Sequence, residues 1–438
     1  MWYDHSIFYQ FSTLDFCTAP VEDPSMTSEF DHAPIYKITE WIDHLKHMGF
    51  DALYLCPVFE SDSHGYDTRD YRILDPRLGS NEDFAKVVEI LHENQIKVVI
   101  DGVFHHAGRG FWAFRDLCRN KEDSPYRDWF FVDFERDSGD RDGFYYEGWE
   151  GHYELVKLNL SNPEVRSYLL GSVKKWIEEF NIDGLRLDVA YAVDPDFLSC
   201  LRDFCKEQRE DFFLMGETLR DNYPFLLERM DSVTNYQAYK GLWSSMNSYN
   251  LHEICHTIRR QQGELSLGNR LFNFLDNHDV TRIASIIQNP RHLYLAYGLL
   301  MAMPGTPCIY YGSEWGEEGV KEKGAPDHVL RPYFRSPMES DLTPSLRQLN
   351  LVRHGHPAFA TGDYEEIYIT GEQFVFARTL GEQRIIVALN ISGHEARLNV
   401  DYSASSAVEL ITSQNVVFGD GLVLPPYSIQ YWLMEDRI

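Results

Sequence analysis

Four segments of this sequence close on side chains that can hold or move a proton. IKVVID ends at Asp101, with His105 and His106 just beyond it. IDGLRLD ends at Asp188, with Arg186 two residues earlier. FFLMGE ends at Glu217, and LFNFLDNHD ends at His278 and Asp279. Each run is rich in Val, Ile, Leu and Phe, the composition of a buried strand. One carboxylate at one strand end is more often a helix cap or a solvated loop residue, but four strands ending alike point to a shared site. Three carboxylates around one pocket suit glycosyl transfer. One must attack the anomeric carbon as an anion, and another must deliver a proton to the leaving oxygen. In an extended strand Gly184, Arg186 and Asp188 share one face, and Leu185, Leu187 and Val189 share the other. Arg186 is therefore placed to hold Asp188 ionised by opposite charge. A structural ion pair inside the core would give the same pattern, and both can be true.

These residues need a scaffold that brings several strand ends together. Eight strand candidates run along the chain: SIFYQF (6–11), DALYLCPV (51–58), IKVVIDGVF (96–104), IDGLRLDV (182–189), FFLMGE (212–217), DSVTNY (231–236), LFNFLDNHD (271–279) and TPCIYYG (306–312). Helical patterns separate many of them. Trp41, Ile42, Leu45 and Met48 mark a helical face that stops at Gly49. Ser80 with Asp83 is a capping signal before another helix, and Asn162 with Pro163 opens a third, whose stripe is Val165, Leu169, Val173, Trp176, Ile177 and Phe180. Alternation of this kind predicts a parallel sheet, and eight units predict a closed (β/α)₈ barrel with its functional groups at the C-terminal strand ends.

Two segments break the rhythm. Residues 107–157 are charged, aromatic and too long for an ordinary loop, so they predict an inserted subdomain after the third strand. Tyr145, Tyr146, Trp149 and Tyr153 within it could form a sugar-stacking wall or a small aromatic core. Beyond 357 the helices stop, and EIYIT, QFVFARTL, RIIVALN and ARLNV predict a C-terminal antiparallel β-sandwich over 357–438. The barrel is then residues 1–106 and 158–356.

The net charge of −28 over 438 residues argues against a nucleic-acid surface or an anionic membrane as partner. The seven cysteines are scattered, with no CxxC pair, and read as small buried hydrophobes in a reducing compartment. The N-terminus shows neither a basic n-region nor an apolar h-region, and no uncharged apolar run reaches the ~18 residues of a membrane span. The expectation is a cytoplasmic protein.

The motifs carry a resemblance. DGVFHH, GLRLDVA, GET and FLDNHD stand in the order and approximate spacing of the four signature regions of the α-amylase superfamily, glycoside hydrolase family 13. GFDALYLCPVFES, HGYDTRDY, PRLGSNEDF, VKLNLSNPEV and GTPCIYYGSEWG resemble its flanking blocks, so the likeness covers nearly the whole chain. KLN at 157–159 and YEGW at 146–149 are most similar to the neopullulanase, cyclomaltodextrinase and maltogenic amylase group. The resemblance implies Asp188 as nucleophile, Glu217 as general acid/base and Asp279 as the third carboxylate, gripping and distorting the sugar. It further implies His106 and His278 as hydroxyl-binding residues, Arg186 as the residue orienting Asp188, and Tyr66 as a platform under the sugar. Asp67 and Asp101 are implied in supporting roles.

Three departures from the family pattern stand out. His105 replaces an asparagine that ligates calcium in many members, and calcium prefers oxygen donors; zinc on His105 and His106 is disfavoured because adjacent residues of an extended segment diverge. The expectation is that no metal or cofactor is required, the alternative being a structural calcium held by carbonyls and scattered acids elsewhere. DVAYAVD lacks the Lys-His pair that typical α-amylases place after the nucleophile. The chain also begins at the first barrel strand, without the N-terminal sandwich usual in the neopullulanase group, which leaves oligomeric state open. The resulting expectation is a retaining hydrolase of α-1,4 bonds, with α-1,6 bonds as a further option, in short or cyclic maltooligosaccharides. A transglycosylase on the same substrates would use the same site. A non-catalytic sugar-binding or scaffold barrel should have lost one of Asp188, Glu217 and Asp279, and all three are present.

Overall fold

The computed structural model describes residues 1–18, 32–136, 142–219, 222–322, 324, 327–400, 406–419 and 421–435. Eight parallel strands close into a barrel: β1 Phe8–Phe11, β2 Ala52–Leu55, β3 Lys97–Gly102, β4 Gly184–Leu187, β5 Phe213–Gly216, β6 Ser232–Thr234, β7 Leu271–Phe274 and β8 Thr306–Tyr310. Each strand neighbours the next in sequence, and β8 returns to β1. All eight strands expected from the sequence are present.

The strand period of two sorts the side chains into two layers. Phe8, Ala52, Tyr54, Val99, Phe213, Met215, Phe272 and Phe274 point inward and form the barrel's apolar plug. Tyr9, Leu53, Leu55, Val98, Ile100, Leu185, Leu187 and Leu214 point outward into the helical layer. The N-terminal turn, Trp2–His5, stoppers the bottom, with the Tyr3 ring 4.6 Å from that of Phe213. Gly184 lies on the crowded inner face, where a Cβ would come within 2.5 Å of the Phe213 carbonyl oxygen. Only glycine permits that approach.

The helices end and begin as their residues demand. Helix Asn81–Glu93 is capped by Ser80, whose side chain accepts from the Asp83 N–H while the Asp83 carboxylate accepts from the Ser80 N–H. Asn162 caps helix Pro163–Lys175 by accepting the Glu164 N–H. Helix Ile42–Met48 stops at Gly49, which is left-handed at φ 81°.

After β3 the chain departs into a helix, Trp112–Asn120, and a small antiparallel sheet of His106–Gly108, His152–Lys157 and Gly148–Trp149. Its core is Phe114, Phe130, Phe144 and Tyr146, with the Phe114 and Tyr146 rings 4.9 Å apart. Of the four aromatic residues left open above, Tyr146 is thus core, and Trp149 stacks on His152 with its ring 6.2 Å from that of His106. After β8, helix Leu342–Gly355 leads to a six-stranded antiparallel sheet. Its order is Asp363–Ile369, Gln373–Leu380, Gln383–Asn390, Ser428–Met434, Ser406–Glu409 and Gln414–Val417. Phe374, Phe376, Ile385 and Val387 pack one face of it on the barrel's helical layer. On the other face Val375, Ala377, Ile386 and Trp432 lie under a ribbon of Ala396–Leu398 and Leu422–Leu424. Among the described residues no helix is long and apolar enough to cross a membrane.

Candidate active site

Register brings the site together. In the β3–β4 ladder Arg186 lies directly beside Asp101, and in β4–β5 it lies beside Met215, so one more step up the barrel puts Asp188 and Glu217 side by side. Arg186 is 3% exposed, and its Nη1 donates to Asp101 Oδ1 at 2.7 Å and to Asp188 Oδ1 at 2.8 Å. Its Nη2 is 2.7 Å from Glu217 Oε1. Three carboxylates from three strands therefore share one guanidinium. The fourth, Asp279, lies past β7, 3.0 Å from His278 Nε2 and 3.4 Å from Arg331 Nη2.

Charge crowding governs their ionisation. Burial raises the Asp188 carboxyl, Arg186 pulls it down, and Glu217, Asp101 and Asp279 push it up again, so that its pKa is pushed up to about 8. Arg186 alone does not keep Asp188 ionised in the empty site, because burial, reinforced by the neighbouring carboxylates, outweighs its pull. Burial would also raise Asp279, but His278, Arg331 and Arg186 hold it well below the usual carboxylate range. Burial alone would discharge His278; the Asp279 charge reverses this, and its pKa is pushed up to about 10. For His106 burial prevails. Burial, with His105 and His64 nearby, lowers it to about 3, so it is neutral.

Each residue expected at the site has a definite place. His106 Nε2 is 3.9 Å from Asp188 Oδ2 and, among the described residues, has no hydrogen-bond partner. Tyr66 is half-buried, with its hydroxyl 3.0 Å from Asp101 Oδ2 and 2.6 Å from His278 Nε2. Asp101 also accepts from Tyr54 at 2.8 Å, so both of its oxygens are committed to protein donors. Asp67 stands apart from the cluster. It accepts from Ser63 and from the His64 N–H, closing the turn that carries Tyr66. His105 turns its Nδ1 to within 3.3 Å of His106 Nδ1. An imidazole in that position does not suit calcium, which takes oxygen ligands. Among the described residues no group of three or more His, Cys, Asp or Glu could hold a metal ion.

Sequence reasoning missed several neighbours. Gln10 from β1 places its amide 2.8 Å from His278 Nδ1. Tyr236, just after β6, donates to Glu217 Oε1 at 3.3 Å and accepts from Asn277 Nδ2 at 3.0 Å. Trp149 brings its ring to 6.2 Å from that of His106. Val189 follows the Asp188 position in a left-handed conformation, φ 40° and ψ 41°, which a β-branched residue rarely adopts. Its N–H donates to Glu217 Oε2 at 3.0 Å. Arg282, to which the sequence assigned no role, is fully buried and bonds the Tyr311 and Leu330 carbonyls.

A parallel barrel with acidic side chains gathered at its C-terminal mouth is a frame on which glycoside hydrolases are built, and the comparisons with known proteins make this chain one of them. The family described as Alpha amylase, catalytic domain matches residues 35–348, and the chain belongs to it, in glycoside hydrolase family 13. Among its relatives is a cyclomaltodextrinase of Geobacillus thermopakistaniensis, 30% identical over 435 residues, which cover 95% of this chain and 72% of the relative. The cyclic α-maltosyl-(1→6)-maltose hydrolase of Arthrobacter globiformis, solved with that sugar, superposes with a TM-score of 0.84 at 27% identity, covering 99% of each chain. The Nostoc punctiforme debranching enzyme superposes with a TM-score of 0.84 at 28% identity, covering 99% of this chain and 98% of that one.

Proposed function

We propose that this glycoside hydrolase is a retaining α-glucan hydrolase that cleaves α-1,4 bonds, and α-1,6 bonds as well, in short or cyclic maltooligosaccharides. One observation carries the reading: Asp188 and Glu217 are bound to the two terminal nitrogens of one guanidinium. That arrangement keeps two carboxyls close, as direct attack requires; retaining enzymes hold them about 5–5.5 Å apart, whereas an activated water needs a wider gap.

Asp188 Oδ1 is occupied by Arg186, so Oδ2 is the attacking atom. It bonds to the anomeric carbon as the glycosidic C–O bond breaks, and Glu217 gives its proton to the departing oxygen. Water then attacks the same carbon, Glu217 takes its proton, and the ester to Asp188 opens, with configuration retained after two inversions. In the empty site burial and its acidic neighbours favour the proton on Asp188. Positive charge developing at the anomeric carbon favours the Asp188 anion, so the proton is needed on Glu217 at the moment of reaction. Neutral His106, with an unengaged N–H, suits a sugar hydroxyl as acceptor. Charged His278 and ionised Asp279 suit hydroxyls that can both donate and accept. Tyr66 is half-buried and lies parallel to His278, as a sugar platform would.

The names of the relatives, a cyclomaltodextrinase and a cyclic maltosyl-maltose hydrolase, support short and cyclic substrates. The approach of Trp149 to His106 supports a pocket walled on one side rather than an open groove. Timed product analysis on maltotriose, panose, a cyclodextrin and soluble starch tests this. Faster turnover of maltotriose and cyclodextrin than of starch is expected. Random internal cleavage of long amylose, with kcat/KM still climbing with chain length, would contradict it.

A further inference from the structure

Glu217 is held more fully than an acid needs merely to be present. Oε1 takes the Arg186 Nη2 at 2.7 Å and the Tyr236 hydroxyl at 3.3 Å, while Oε2 takes the Val189 N–H at 3.0 Å. The Tyr236 proton is directed by its other neighbour. Asn277 Nδ2 donates to the Tyr236 oxygen, and Asn277 Oδ1 is occupied by the Asp279 N–H at 2.8 Å, so the amide cannot turn round and accept from the tyrosine. Burial and the Glu217 and Asp279 charges keep the phenol far above its ordinary pKa, so it remains a donor at any working pH. We infer that Tyr236 is a positioning residue for Glu217: with Arg186 it fills Oε1 with donors and leaves Oε2 as the oxygen that carries the transferable proton. This deepens the reading of Glu217 as acid/base and rests on it. In the bond-breaking step the proton passes from Glu217 Oε2 to the glycosidic oxygen as that oxygen leaves the anomeric carbon. The two donors on Oε1 stabilise the negative charge left behind.

The Val189 N–H is compatible with this assignment, because a protonated Oε2 keeps a lone pair to accept it. Val189 takes up a left-handed conformation that a β-branched residue rarely adopts, and the N–H so presented reaches Oε2 from the side of β4. The 3.3 Å bond from Tyr236 is longer than a well-formed O–H···O bond, and catalytic hydrogen bonds in empty sites commonly shorten when substrate binds. The competing role for Tyr236 is packing, since its ring meets Phe274 edge-on at 4.9 Å.

Tyr236→Phe separates the two roles, because it keeps the ring and removes only the hydroxyl. Its kcat/KM should fall about 10- to 30-fold on maltotriose, whose leaving group needs the proton. On dinitrophenyl α-maltoside, whose leaving group does not, it should change less than about threefold. Asn277→Asp keeps size but replaces the donor by an acceptor, which turns the Tyr236 proton away from Glu217, and it should show the same split. Equal losses on both substrates, or none on either, would overturn the role of Tyr236. Glu217→Gln measured alongside distinguishes the failures. If Glu217→Gln shows the split and Tyr236→Phe does not, the tyrosine is only packing and the acid assignment stands. If neither shows it, Glu217 is not the acid.

Discussion

As the proposed nucleophile, Asp188 has two demands on it that conflict: it must be buried beside other carboxylates to react, and burial there disfavours its charge. Because its folded pKa is pushed up to about 8 from 3.8, the sign is definite. The contribution is most favourable below the unfolded value and is lost as pH rises through the folded one. Asp188→Asn removes that penalty while ending nucleophilic attack. The variant should therefore lose nearly all turnover yet melt a few degrees above the parent at pH 8, the difference vanishing near pH 4. Thermal melts of both proteins across that range check this; a variant less stable at pH 8 would mean that the carboxylates do not repel. The residues that form this cluster were legible because charge at the end of an apolar strand is uncommon, and Asp188, Glu217 and Asp279 all carry that mark. Tyr236, Gln10 and Asn277 were not legible, since a neutral polar residue at a strand end looks the same whether it caps a helix or holds a catalytic group. The left-handed backbone of Val189 contradicts what its side chain prefers, so no local pattern announces it. Arg331 comes to Asp279 from more than fifty residues along the chain, after β8, and only closure of the barrel reveals the contact.

At the scale of elements, the buried Arg378 joins the sheet to the barrel, and the buried Arg353 joins helix Leu342–Gly355 to the end of helix Arg291–Ala302. Helix Arg291–Ala302 ends with carbonyls that have no partner within the helix. Arg353 donates to Met301 O and Gly305 O, both at 2.7 Å. Arg378, on the strand Gln373–Leu380, donates to Ala302 O and Gly362 O, both at 2.9 Å. Burial lowers both guanidinium pKa values, to about 10 and about 9, so the charges are costly. Hydrogen bonds from a charged donor are worth about 1.5–3 kcal/mol each, and a stranded buried carbonyl costs about 1–3 kcal/mol. Arg378→Met should lower stability by at least about 2 kcal/mol and leave kcat at 25 °C unchanged, as denaturant unfolding and assay would show. An equally stable variant would mean that hydrophobic replacement compensates. The flanking elements themselves were readable. The Ser80 and Asn162 caps and the Gly49 stop are local chemistry, and the alternation in QFVFARTL sends Phe374 and Phe376 to one side and Val375 and Ala377 to the other. The latch was not readable, because nothing near Arg353 or Arg378 in sequence distinguishes them from surface arginines.

For the whole molecule, the barrel exists to bring strands distant in sequence to one rim, and the chemistry depends on that closure more than on any single strand. Its eight-unit rhythm was visible in the apolar runs, whereas the packing inside the inserted segment was not, since aromatic residues serve a core and a sugar wall equally well. The central claim is that Asp188 attacks directly and that two displacements follow. Proton NMR of the first turnovers on maltotriose or a cyclodextrin, read before the anomers interconvert, tests this most directly. The α-anomer should appear first and relax to the equilibrium mixture afterwards. If the β-anomer appears first, water attacks in a single displacement, and Asp188 is not the nucleophile.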